Sequence, residues 1–241
     1  MKIITVSNYD EMSARAAELL VAQVIVKPDS VLGLATGSTP VGTYRSMAEA
    51  CSAGQVSFSR CRSVNLDEYV GLGPENEASY RYFMEDNLFR HIDIPPENTH
   101  LPDGKSQDPA AECVRYDQLL ASLAPIDLQV LGLGHNGHIA FNEPDDHFIA
   151  GTHIVDLDEA TIEANQRFFS SRDEVPKQAL TMGMRPILNA RHVLFLISGE
   201  AKADILHRSL TGPITPAVPA SILQLHTNVT LIADKAALSR F

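Results

Sequence analysis

Short β-branched, apolar runs alternate with longer amphipathic stretches along most of this chain, the pattern of parallel strands joined by crossover helices. Lys2 to Ser7 reads as a first strand, followed by a helix from Asp10 to about Val26 with Asp10 as its N-cap. Val31 to Ala35 reads as a buried strand ending in Thr36-Gly37-Ser38-Thr39-Pro40, with Pro40 placed for the first turn of the next helix. Arg62 to Leu66 forms another strand that runs into Asp67-Glu68-Tyr69, and the helix after it carries Tyr80, Phe83, Met84 and Leu88 at helical spacing, a stripe expected in the core. A helix over 109–123 precedes a strand from Asp127 to Leu131, which stops at Gly132-Leu133-Gly134-His135-Asn136-Gly137-His138. Strands at Val193 to Ile197 and Val229 to Ala233 complete the series.

The pattern predicts a three-layer, Rossmann-like α/β fold with a mainly parallel sheet, formed by residues 1–241 as a single domain. The Pro95-Pro96 and Pro213 to Pro219 segments read as loops within it, and no internal repeat is visible. Sheets of this kind bind ligands beyond the carboxyl ends of their strands. Four separate motifs follow strands here, so they are expected to meet at one edge.

Composition narrows the partners. The 44% hydrophobic content is ordinary for a globular chain, but 19 Lys plus Arg against 30 Asp plus Glu give a formal charge of -11. That balance argues against a nucleic-acid partner, so any anionic ligand must be gripped locally. No run approaches the ~20 apolar residues of a membrane span, and the opening Met1-Lys2-Ile3-Ile4-Thr5 lacks the regions of a signal peptide, which makes the cytoplasm the expected compartment. Cys51, Cys61 and Cys113 form neither a CxxC pair nor a zinc pattern and read as reduced thiols.

Gly37-Ser38-Thr39-Pro40 would deliver two hydroxyls and free backbone N–H groups to a helix start, an arrangement suited to phosphate but also to ordinary capping. Gly132, Gly134 and Gly137 match a G-x-G-x-x-G count after a strand, yet Gly137 is followed by His138 rather than by an apolar helix, which weakens a dinucleotide reading. The string from His135 to Pro144 packs two imidazoles, two amides and a carboxylate into ten residues. His138 with Glu143 is a plausible proton-transfer pair, and a metal bound by His135, His138 and Glu143 is the alternative that Gly137 disfavours. Asp67 could act as a base on carbon. Lys202, at the opening of a helix after Ser198-Gly199, and Arg167 would form a local phosphate clamp.

These residues resemble glucosamine-6-phosphate deaminases over nearly the whole chain, through Leu32 to Pro40, Asn65 to Leu72, Ser79-Tyr80 and above all Gly137-His138-Ile139-Ala140-Phe141-Asn142-Glu143-Pro144. The related 6-phosphogluconolactonases share a similar glycine-histidine turn but not the Phe-Asn-Glu-Pro after it. The resemblance implies a cofactor-free and metal-free conversion of glucosamine 6-phosphate to fructose 6-phosphate and ammonia. In it, Asn136, His138 and Glu143 would open the sugar ring, and Asp67 would move a proton between C2 and C1. Gly37, Ser38, Thr39, Arg167 and Lys202 would hold the phosphate.

Many family members carry aspartate where Asn136 stands, so this chain has an orienting amide in place of a charge. Members activated by N-acetylglucosamine 6-phosphate carry basic residues shortly after the Glu-Pro, whereas here the segment reads Asp145-Asp146-His147, then His153 and Val155, and the chain ends at Phe241. A short, non-allosteric type is therefore expected. A lactonase or isomerase on the same fold is the alternative enzyme, and a sugar-phosphate sensor the alternative without catalysis. Self-association and closure of 156–177 as a lid stay open.

Overall fold

In the computed structural model, which describes residues 1–166, 169 and 171–241, seven strands form one sheet in the order β1-β10-β9-β6-β2-β3-β5, and every pairing in it is parallel. Its strands are β1 (Lys2–Val6), β2 (Val31–Leu34), β3 (Arg62–Asn65), β5 (Thr99–His100), β6 (Leu128–Leu131), β9 (Val193–Ile197) and β10 (Val229–Asp234). The chain moves from β1 across to β2, β3 and β5, then reverses to β6, β9 and β10. Right-handed crossovers running in opposite directions put their helices on opposite faces. Helices α1 (Tyr9–Val26), α2 (Val41–Ser52) and α3 (Tyr80–Asn87) serve the outward moves, and α4 (Pro109–Leu123) and α7 (Ala203–Thr211) the return, which gives the three layers. Strands β6, β9 and β10 are buried along their whole length, as a sheet covered on both faces requires.

Local chemistry sets the boundaries. Asn8, not Asp10, caps α1: its side chain accepts from the Glu11 N–H at 2.9 Å, and the Glu11 carboxylate accepts from the Ser7 N–H at 2.7 Å, so each residue satisfies a backbone donor near the other. Ser79 caps α3, and Asp108 with Pro109 opens α4. Pro40 stands one position earlier than expected, just before α2.

The larger departure is a second sheet, antiparallel and three-stranded, made by β4 (Asp67–Tyr69), β8 (Gln178–Thr181) and β7 (His153–Asp156). The run from Arg62 does not stop at Asp67. It crosses at Leu66, whose carbonyl accepts from the Met182 N–H at 2.7 Å, and continues as the edge of the smaller sheet. These strands are short, with β4 and most of β8 buried and β7 alternating between half-buried and exposed positions, and no continuous apolar run announces them. Under them lies a separate apolar cluster of Tyr69, Phe141, Leu157, Ile162, Val175 and Ala179. Helices α5 (Glu159–Asn165) and α6 (Met184–Leu188) flank β8 in sequence.

Gly104 locks the loop after β5 against β4. A Cβ at this position would lie 2.2 Å from the Tyr69 carbonyl oxygen and 2.5 Å from that of Leu72, both backbone atoms that cannot swing aside. Gly104→Ala should therefore destabilise the protein by about 1–3 kcal/mol, read as a fall in Tm by calorimetry. An unchanged Tm would show that the loop can shift without cost.

Candidate active site

The strand order reverses between β2 and β6, and the loops leaving those two strands separate there. The resulting cleft holds about 400 Å³, within the ~300–1,000 Å³ of small-ligand sites. Gly37, Ser38 and Thr39 line it from the β2 loop, Asp67 from the β3–β4 junction, Asn136 and His138 from the β6 loop, and Ser198 and Lys202 from the β9 turn. The four motifs thus meet, as their positions after strands implied. Arg167 lies outside the described residues.

Each wall is held from behind. Gly37 has φ +88, a conformation that side chains rarely adopt, and the next carbonyl, that of Ser38, accepts from the Tyr9 hydroxyl at 3.0 Å. The same hydroxyl accepts from the Gly42 N–H at 2.9 Å, so the first residue of α1 props both ends of the hydroxyl-bearing turn.

The β6 loop is shaped by its glycines and by one strained residue. A Cβ on Gly134 would fall 2.3 Å from the His138 ring, so the imidazole can lie over that backbone only because position 134 has no side chain. Gly137 has φ +94, and Ala140 is left-handed at φ 54, turning the chain so that Glu143 comes back beneath His138. No helix follows Gly137, which removes the dinucleotide reading.

Glu143 is the hub of this loop. Its Oε2 accepts from His138 Nδ1 at 3.2 Å and from Asn136 Nδ2 at 2.5 Å, and its Oε1 accepts from the Thr161 hydroxyl at 2.6 Å. Burial alone would raise this carboxyl, but the donors from His138, Thr161 and Asn136 outweigh it and hold Glu143 below the usual carboxylate range. With the Nδ1 proton committed to Glu143, His138 presents Nε2 as the nitrogen able to exchange a proton. Asn136 orients rather than charges: its Oδ1 accepts from the His138 N–H at 3.2 Å, and its amide also reaches Asp158 at 3.2 Å.

Asp67 is perturbed the other way. It is 5% exposed, and burial together with the neighbouring Glu68 charge pushes its carboxyl up to about 8. Alternation along β4 sends Glu68 to the opposite side, where it accepts from the backbone N–H groups of Tyr69, Tyr80 and Arg81 at 2.9, 2.9 and 2.8 Å. Glu68 thus anchors β4 to the start of α3. Asp67 accepts no hydrogen bond from the described residues and opens only to the cleft.

Several contributors were not legible. Tyr80, expected in the core with Phe83, Met84 and Leu88, packs against the smaller apolar cluster and also lines the cleft, bonding Tyr69 through their hydroxyls at 3.2 Å; the other three pack in the main core. Thr161 and Asn165 reach the cleft from α5, and Asn165 donates to the Tyr69 hydroxyl at 3.0 Å. Nothing in their local sequence marks them. Among the described residues, the group that could together ligate a cation is Asp145, Asp146 and His147, exposed and outside this cleft.

A family model for glucosamine-6-phosphate isomerases and 6-phosphogluconolactonases matches residues 7–232, and the chain belongs to this family. Among its relatives, it is 58% identical to a glucosamine-6-phosphate deaminase of Lachnoclostridium phytofermentans, over 96% of this chain and 98% of that one. It is 51% identical to the enzyme of that name from Clostridioides difficile, over 100% and 96%. A solved structure of a monomeric glucosamine-6-phosphate deaminase superposes with a TM-score of 0.97 at 46% identity, covering 99% of each chain. The 6-phosphogluconolactonase of Trypanosoma brucei superposes at 0.78 with 20% identity, a likeness of fold.

The raised Asp67 carboxyl has a cost that can be measured. Between its unfolded value near 4 and its folded value of about 8, the folded chain binds more protons, so its contribution to stability is full below pH 4 and is lost as pH rises through about 8. Asp67→Asn should thus stabilise the protein by about 2–4 kcal/mol at pH 8, with the gain shrinking toward pH 4. Denaturant melts of both proteins across that range check it; a gain that does not vary with pH would refute the assigned cause.

Proposed function

We propose that residues 1–241 act as one catalytic unit, a glucosamine-6-phosphate deaminase that releases ammonia and forms fructose 6-phosphate. The observation that carries this reading is that a buried, high-lying carboxyl and an imidazole oriented by Glu143 open onto one cleft whose other walls offer Ser38, Thr39 and Lys202. Hydrolysis of a lactone needs a base for water; isomerisation with deamination needs, in addition, a base for carbon. Asp67 supplies the second.

In this scheme Gly37, Ser38, Thr39 and Lys202, together with Arg167, hold the phosphate. His138 Nε2 moves the proton between the anomeric hydroxyl and the ring oxygen, and Glu143 stabilises the ring cation that forms. The opened sugar presents C2 to Asp67, which removes its proton and returns it to C1 through an enolamine. Water adds to the resulting C2 imine, and ammonia leaves. A carboxyl titrating near 8 is well matched to this work, because it binds a carbon acid's proton more firmly than an exposed aspartate while still ionising in the working range.

A second cavity adjoins Glu143 on the far side of the loop, lined by Asp145, His147, His153, Val155 and Asp156 among others, with no Lys or Arg among the described residues. Acidic walls of this kind do not suit a phosphorylated effector. No described helix is long and apolar enough to cross a membrane.

Coupled formation of fructose 6-phosphate, with ammonia measured in parallel, tests the reading; hydrolysis of 6-phosphogluconolactone without ammonia release would select the lactonase instead. Asp67→Asn should lower kcat by roughly 10²–10⁴ while KM moves little. Saturation curves should be hyperbolic and unmoved by N-acetylglucosamine 6-phosphate, and a sigmoidal curve shifted by that sugar would overturn the non-allosteric assignment.

A further inference from the structure

Ser198 and Gly199 leave β9 in a turn that leads through the single 3-10 turn Glu200–Lys202 into α7. Gly199 sits at φ +94, so the turn is not held by ordinary backbone preference. It is held by Asp234, the last residue of β10. Ser198 Oγ donates to Asp234 Oδ2 at 2.5 Å, and the Gly199 N–H donates to both carboxyl oxygens, at 3.0 and 3.2 Å. The Ala237 N–H completes the shell, donating to Oδ1 at 2.8 Å. Asp234 is 5% exposed, and because Ala233 pairs opposite Ile197 it stands level with the turn it grips. Ser198 and Lys202 line the cleft, whereas Asp234 does not.

We infer that Asp234 is a positioning residue for the phosphate end of the substrate, fixing the Ser198–Gly199 turn so that Lys202 is held toward the anion. The inference rests on the sugar-phosphate reading above. Two features support it. The Ser198 hydroxyl spends its proton on Asp234, so toward the cleft it offers only lone pairs and cannot itself donate to an anion. Attraction at this wall therefore falls to Lys202, whose placement depends on the turn. A lysine on a flexible four-carbon stem gains from a fixed base, since the freedom left in the backbone would otherwise be lost on binding. The Asp234 carboxylate does not line the cleft, and four hydrogen bonds from Ser198, Gly199 and Ala237 offset part of its charge.

Asp234→Asn and Ser198→Ala, made in the full chain, test this with glucosamine 6-phosphate, unphosphorylated glucosamine and inorganic phosphate. In Asp234→Asn, KM for the phosphorylated sugar and the inhibition constant of inorganic phosphate should both rise roughly tenfold, with kcat within about threefold of the parent. Turnover of unphosphorylated glucosamine should keep its kcat/KM, so the preference for the phosphorylated sugar falls by the same factor. Equal losses on both sugars would reveal a merely structural role, and unchanged constants for phosphate would overturn the inference. If Asp234→Asn does not fold, Ser198→Ala removes one of the same hydrogen bonds and is read the same way. Should the parent chain release no ammonia, the functional reading falls on its own; thermal protection by inorganic phosphate, present in the parent and weakened in the variants, still decides the role of Asp234.

Discussion

A parallel sheet can connect its strands only by crossovers of one hand, and this chain uses them first in one direction and then in the other. The reversal between β2 and β6 leaves two loops with nothing between them, and the cleft occupies that gap. Everything the site needs arrives at that edge because strands that run parallel end together. The turn after β2, the junction after β3, the loop after β6 and the turn after β9 are distant in sequence, yet all stop at the same height.

Two carboxyls, Asp67 in the cleft and Glu143 behind its imidazole, respond in opposite directions to burial. Glu143 loses water but gains three side-chain donors, and so stays low. Asp67 loses water, gains no donor among the described residues, is repelled by the charge of its chain neighbour Glu68 and rises. The division of labour follows: the low carboxyl suits holding and stabilising an imidazolium, and the high one suits taking a proton from carbon. The antiparallel sheet is what makes the second environment. By carrying the chain from β3 directly into β4, it pins Asp67 at a buried junction rather than on a solvated loop end.

Much of the frame was legible. The strand at Val193 to Ile197 and the helix over 109–123 fall where expected, the first because it is a continuous buried apolar run and the second because it buries one face at helical spacing. The string around His138 was legible because its polar residues are dense and follow a strand. The second sheet was not, since β4, β7 and β8 are only three or four residues long and mix polar with apolar residues, too brief a stretch to signal a period. Tyr80 was legible as core but not as a wall of the cleft: it belongs to the smaller cluster rather than to the one that holds Phe83 and Met84. Thr161, Asn165 and Asp234 act through contacts 18, 96 and 36 residues away, which local pattern cannot encode.

Three glycines of the cleft are required for different reasons. Gly37 and Gly137 are required by their backbone angles. At Gly134 the demand is for empty volume, since the imidazole of His138 occupies the space a methyl group would take. A chain drifting through neutral substitutions could relax the first kind by remodelling a turn, whereas the second closes position 134 to every other amino acid for as long as His138 keeps its pose. The dependence runs one way: position 134 can accept a side chain only after the ring at position 138 has moved or been replaced.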